Sequence, residues 1–179
     1  MALHLRAQNL SLGDCSGGRD ERQDGGLLDD VVSRLEKSIV GRDCPAIVVL
    51  DGDRRLVLSD YDDLRDDATA AAFETRAAAK AHEIDATRWV LAVPQVWVLI
   101  PPSTVAMRAV SNHPLHEGEQ EAITWMSCDK DDGVDCGRVP CARRPNGEPI
   151  FGDPEVFTVG VRPHDTTPGF ALLQAYVEG

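Results

Sequence analysis

The sequence predicts an α+β protein in which a single mixed, largely antiparallel sheet carries helices mainly on one face. Three observations lead to this prediction. Apolar residues between positions 27 and 39 follow the spacing of one helix face. Two β-branched runs flank Asp51-Gly52, a pair typical of a hairpin turn. The second half of the chain is rich in short apolar runs separated by turn residues, including Asn146-Gly147, which favours further strands.

The first element is predicted to be a helix that follows a flexible arm. Residues 1–24 mix Gly, Ser, Asp, Arg and Gln without periodicity, which is typical of an arm, and residues 25–179 are expected to form one α+β domain. In this predicted helix, which starts near Leu27, Asp29 and Asp30 are expected in the first turn and Lys37 in the last, as the helix macrodipole favours. Gly41 then marks the end.

Two strands and an alanine-rich helix are predicted next. The strands cover residues 45–50 and 54–58, and the helix runs from Ser59 or Asp60 to about Glu83. Alanine is the best helix former and allows close packing against a sheet. Near-continuous apolarity over residues 88–100 then predicts a central strand buried on both faces.

Proline and glycine divide the remaining chain. Pro94 is expected to mark a bulge or a break, because it cannot donate to a strand ladder. Residues 103–118 are predicted to be a loop with a short helical turn. Strands are expected at residues 121–128, 137–144, 150–151 and 156–161, with a terminal strand or short helix over residues 169–177.

Composition and charge argue against several classes of function. The 179 residues include 18 basic and 30 acidic side chains, a net charge of −12, which argues against binding a phosphate backbone. No apolar run reaches the roughly 18 residues that a membrane span requires. The N-terminus lacks the pattern of a signal peptide, so a cytoplasmic protein without membrane contact is expected.

One segment concentrates reactive side chains. It contains His113, His116, Glu117 and Glu119, which are the candidate catalytic residues because imidazoles and carboxylates act as general bases or metal ligands. Their spacing is not that of a His-Glu-x-x-His metal site. The alternatives are a solvated polar loop and a loop that grips a substrate or partner.

Five cysteines without an export signal are expected to be reduced thiols. Cys128, Cys136 and Cys141 are the candidate metal ligands, for zinc. Their gaps of seven and four residues do not form the usual zinc knuckle, so no cofactor is predicted outright. A bridge between Cys128 and Cys136 across a hairpin is a further alternative in an oxidising compartment.

The order of elements resembles a group of small bacterial and phage-associated α/β proteins. The resemblance rests on the strand, Asp-Gly turn, strand and alanine-rich helix, then Gln95-Val96-Trp97, and then His113-Pro114 shortly before Glu121-Ala122. It spans residues 46–148. It implies an α/β fold and bacterial origin, and it implies no catalytic residue, while Gln95 and Val96 replace the acidic residue that the group tends to carry before its tryptophan.

Charge and the absence of a complete catalytic signature together favour a non-enzymatic accessory protein. Its acidic surface would engage a protein partner, and a basic one suits that surface. The alternative is a small hydrolase-like enzyme that uses the His113, His116, Glu117 and Glu119 segment, with or without a metal.

Overall fold

The structure is a computed structural model that describes residues 25–100, 104–110, 115–157 and 167–178. The predicted arm, the predicted strand residues 158–161 and His113 lie outside the described residues. The elements are α1 (Gly25–Val40), β1 (Ala46–Asp51), β2 (Arg55–Asp60), a 3-10 turn (Asp63–Arg65), α2 (Asp67–Glu83), β3 (Arg88–Ile100), β4 (Thr104–Ala109), β5 (Glu119–Asp129), β6 (Gly133–Arg143), β7 (Pro149–Phe151), β8 (Glu155–Val156) and α3 (Phe170–Glu178).

These strands form one curled sheet, and the predicted α+β class is confirmed. The strand order is β2-β1-β3-β5-β6-β7, with β4 beside β3 and β8 beside β6. Every strand pair in the described ranges is antiparallel. The long strand β3 is the centre of the sheet, because it pairs with β5 on one edge and with β1 and then β4 on the other.

Helices cover both faces of the sheet. One core lies under α2 and α3 and includes Val48, Trp89 and Met126, while the other lies under α1 and includes Val49, Val90 and Trp125. Alternate residues of a strand point to opposite faces, so neighbouring positions supply the two cores. The sequence predicted helices mainly on one face, and the structure places α2 and α3 there and α1 on the other.

Pro94 does not interrupt β3. The register against β5 continues through it, from Val93 opposite Thr124 to Gln95 opposite Ala122. On the other edge, the pairing with β1 ends at Ala92 and the pairing with β4 begins at Gln95. Proline is tolerated at the point where that edge changes partner, because a missing N–H is least costly where a ladder is interrupted.

Two local predictions differ from the structure. Residues 104–109, predicted as part of a loop, form β4 because they pair with the second half of β3. The alanine-rich helix begins at Asp67, since β2 extends to Asp60 and the 3-10 turn follows. The C-terminal segment is a helix, which was one of its two predicted forms.

Candidate functional site

A cleft of about 580 Å³ opens where the start of α2, the junction of β3 and β4, and the start of α3 come together. We call it the acidic cleft. Small residues form part of its wall and leave it open. The lining includes Ala70, Ala71, Ala106, Ala109 and Ala171 around the polar residues Asp63, Asp66, Asp67, Glu74, Gln95 and Thr167, together with Arg65 and Arg108.

A capping box fixes the entrance to α2. The Asp66 carboxylate accepts a hydrogen bond from the backbone N–H of Thr69 at 2.8 Å, and the Thr69 hydroxyl contacts the backbone nitrogen of Asp66. These hydrogen bonds lower the pKa of Asp66. The same hydroxyl lies 2.9 Å from the carbonyl oxygen of Asp62, so the cap also anchors the 3-10 turn. Asp63 is thereby held at the cleft.

Asp63 is a buried carboxyl group. The residue is 6% exposed, and burial, followed by repulsion from Glu74 and Asp60, raises its pKa to about 6. Among the described residues, no hydrogen bond and no cation lowers this pKa. Partial loss of hydration without a compensating donor or cation makes the charged form of this carboxyl group costly.

Glu74 is also buried, at 5% exposed, but it is fully engaged. Its two carboxylate oxygens accept the backbone N–H groups of Gly169 at 2.8 Å and Leu172 at 3.0 Å, at the start of α3. Burial raises the pKa of Glu74, and these backbone hydrogen bonds oppose that rise. Glu74 therefore caps α3 and ties that helix to α2.

Gly169 is required at this joint. Its φ of +89° is a left-handed conformation that side chains rarely adopt, and an added Cβ would meet the Met126 sulfur at 2.9 Å.

Gln95 adds a second unsatisfied acceptor to the cleft. Its amide oxygen is buried and has no hydrogen-bond partner in the described part of the chain. Gln95 shares the α2 face of β3 with Val93, which also lines the cleft. Asp63 and Gln95 both line the cleft, and a ligand that supplies N–H donors and positive charge would compensate the Asp63 carboxylate.

The described part of the candidate catalytic segment forms an ion pair between strands and does not form a catalytic group. His116 and Glu117 are exposed. Glu119 forms a two-pronged ion pair with Arg108, at 3.0 and 2.5 Å, and accepts the backbone N–H of His116 at 2.9 Å. The hydrogen bond from Arg108 is the main reason that the pKa of Glu119 falls to about 2. This carboxylate ties β4 to β5, and so low a pKa makes it a weak base.

The three candidate zinc ligands do not share one face of the sheet. Cys128 and Cys136 face α2 and α3, whereas Cys141 lies on the α1 face near Glu121 and Cys44. Cys136 and Cys141 are five positions apart on one strand, an odd number, so they point in opposite directions. Burial raises the pKa of Cys141 to about 11. In the described ranges no three potential ligands are grouped around a metal position.

Sequence reasoning missed Asp63, Glu74 and Gln95. Glu74 did carry a signal: it lies three, four and seven positions before Ala77, Ala78 and Ala81, all of which are buried. A glutamate on the buried face of a helix indicates a specific partner. Asp63 carried no such signal, because it stands among many acidic neighbours.

No described helix is both long enough and apolar enough to cross a membrane. Comparisons with protein-family models, with curated proteins and with solved structures gave no match to this chain.

Proposed function

We propose that this protein is a non-enzymatic binding protein that engages a basic protein partner and receives a lysine or arginine side chain of that partner in the acidic cleft. The observation that carries the proposal is the Asp63 carboxyl group, which is buried in an open cleft without a cation or donor from the described residues. An incoming cation would restore what burial removed.

The surroundings of the cleft fit such a ligand. The Gln95 amide oxygen supplies a second acceptor, and Asp66 and Asp67 are exposed among the lining residues. A guanidinium or ammonium group carries several N–H donors and no acceptor, so it suits the Asp63 carboxylate. The net charge of −12 would steer a basic partner towards the protein before contact.

Replacing Asp63 by Asn tests this proposal, with Asp131→Asn as the matched control. Both changes remove one negative charge, but Asp131 is exposed in the turn between β5 and β6, where it does not line the cleft. We expect Asp63→Asn to weaken binding of arginine-rich and lysine-rich peptides at least tenfold, or about 1.4 kcal/mol, by isothermal titration calorimetry. The control should change affinity less than twofold.

Equal losses in the two variants would contradict the proposal, because they would mean that the peptides respond to overall charge alone. An uncharged peptide of the same length serves as the negative probe. Titrations at low and high salt separate the screened surface contribution from the contact inside the cleft.

A hydrolase-like enzyme remains the alternative proposal, and the environment of Glu119 makes it the weaker one. With Glu119 held by Arg108, the described part of the segment leaves His116 and Glu117 to act as acid and base. A hydrolase screen of the wild type and of His116→Ala tests it. Hydrolysis by the wild type that the variant loses would favour the enzyme.

A further inference from the structure

Strand β2 is an open edge of the sheet. In the described part of the chain it pairs only with β1, through six consecutive residue pairs. Its outer side therefore presents backbone N–H and C=O groups without a strand partner. Such an edge is a template for another strand, and proteins usually protect it with proline, lysine, a bulge or a very short strand.

β2 carries none of these protections along its centre. Its middle residues are Leu56, Val57 and Leu58, and its charged residues, Arg55 and Asp60, stand at the two ends. Val57 is 40% exposed. At the opposite side of the sheet, β7 is only three residues long and begins with Pro149, which is the usual form of protection.

A groove lies beside this edge. It has a volume of about 400 Å³ and runs between α1 and β2 on the α1 face of the sheet. Ile47 and Val57 give it an apolar part. Its polar lining includes Ser59, Lys37 and Asp30, and Asp30 is paired with Arg34 at 2.9 Å. Tyr61, which is 66% exposed, also lines it.

We propose that a second copy of this chain pairs with β2, strand to strand and antiparallel, about a twofold axis at Val57. The charge pattern of the strand favours a copy of itself. Arg54 precedes the strand, Arg55 begins it and Asp60 ends it, so an antiparallel copy brings the arginines opposite polar or acidic residues. Within one chain Asp60 already holds Arg76 and Arg54 already holds Glu83, so a pair between Arg54 and Asp60 of two copies would extend these ion pairs.

The register follows from the two faces of the sheet. Residues that oppose each other in an antiparallel pair point to the same face. A twofold axis perpendicular to the sheet therefore has to place one residue of β2 directly opposite its own copy. An axis at Val57 puts Val57 opposite itself, Leu56 opposite Leu58, Arg55 opposite Ser59 and Arg54 opposite Asp60, which joins apolar to apolar and basic to polar or acidic positions.

The same register places Arg55 of the second copy beside the groove. Arg55 of the second copy lies opposite Ser59, which lines the groove together with Asp30. Within its own chain, Arg55 has only a loose ion pair, at 3.6 Å from Asp51, and its side chain is well exposed. The interface thus joins strand pairing with an apolar contact at Val57 and a polar contact between Arg55 and Ser59.

Sedimentation and light scattering of the full chain test the dimer. We expect a concentration-dependent dimer that Val57→Lys weakens at least tenfold. At concentrations where both proteins are monomeric, the variant should leave circular dichroism and the melting temperature unchanged, because Val57 is an exposed edge position of the monomer. Val134→Lys is the matched control, since Val134 is 42% exposed on β6, away from this edge, and it should leave the dimer intact.

Two further variants fix the register. Val57→Cys should form a disulfide-linked dimer on mild oxidation, because the proposed axis places this residue opposite itself. Ser59→Cys should not form such a dimer, because the same axis places Ser59 opposite Arg55. A chain that stays monomeric at every concentration, or a dimer that Val57→Lys leaves unchanged, would overturn the proposal. Binding in the acidic cleft does not depend on this interface, so the two proposals fail separately.

Discussion

The burial of Asp63 lowers the stability of the folded protein at neutral pH, and the same carboxylate is the group that we propose binds a cation. Its pKa is about 6 in the folded protein, whereas an unfolded aspartate titrates near 3.9. Because the folded state holds the proton more tightly, protonated Asp63 contributes stability at low pH, and this contribution is lost as the pH rises through about 6. At neutral pH the protein therefore carries a buried charge at a cost in stability.

We predict that Asp63→Asn stabilises the protein at pH 7.5 by about 1–2 kcal/mol, because the amide resembles the protonated carboxyl group. At pH 4 the wild-type group is already protonated in the folded state, so the difference should shrink towards zero. Urea unfolding at the two pH values measures it. Asp62→Asn is the matched control, since Asp62 is an exposed neighbour. A gain that is the same at both pH values would contradict this account.

Of the residues that line the cleft, Glu74 is the one whose burial could be predicted from the sequence. Glu74 breaks the apolar pattern of a helix face, and that pattern is visible without a structure. The burial of Asp63 depends on β4, α2 and the start of α3, which lie far apart in the chain. The unmatched Gln95 oxygen likewise results from tertiary packing, so neither feature has a local signature.

At the scale of elements, the contact between α2 and α3 depends on one carboxylate. We predict that Glu74→Ala lowers the free energy of unfolding by about 2 kcal/mol, because the N–H groups of Gly169 and Leu172 would lose their acceptor in a buried position. Amide hydrogen exchange in α3 should also become faster. Thr75→Ala changes the next, exposed position of α2 and should leave α3 protected. Unchanged α3 exchange in Glu74→Ala would contradict this role.

The elements that the sequence predicted are those with strong local patterns. Helix α1 has a regular apolar face, and the pair β1 and β2 has an Asp-Gly turn between apolar runs. β4 has no such pattern, since Thr104–Ala109 has the sequence Thr-Val-Ala-Met-Arg-Ala, in which apolar and polar residues do not alternate. It is a strand because β3 is long enough to pair with it beyond the end of β1, and that partner is not local.

At the scale of the whole molecule, two exposed groups of acidic residues stand in different parts of the described structure. Asp62, Asp66 and Asp67 lie at the beginning of α2, and Asp131, Asp132 and Asp135 lie around the turn between β5 and β6. Only the first group adjoins the cleft. The second adds to the long-range field that attracts cations, so its removal should change the rate of association more than the affinity.

The proposed dimer would also determine the distance between its two acidic clefts. Asp63 follows the end of β2, and antiparallel pairing of two β2 strands puts those ends at opposite sides of the joined sheet. The two acidic clefts would then lie far apart. A partner with two basic segments could occupy both only if its linker spans the joined sheet.

Titration of the Asp63 carboxyl carbon by NMR, with and without a bound arginine-rich peptide, tests the central claim most directly. Without the peptide its pKa should be about 6. With saturating peptide the pKa should fall by at least about one unit, because a cation beside the carboxylate favours the charged form. A pKa that stays near 6 or rises when the peptide is bound would contradict the claim that the cleft receives a basic side chain.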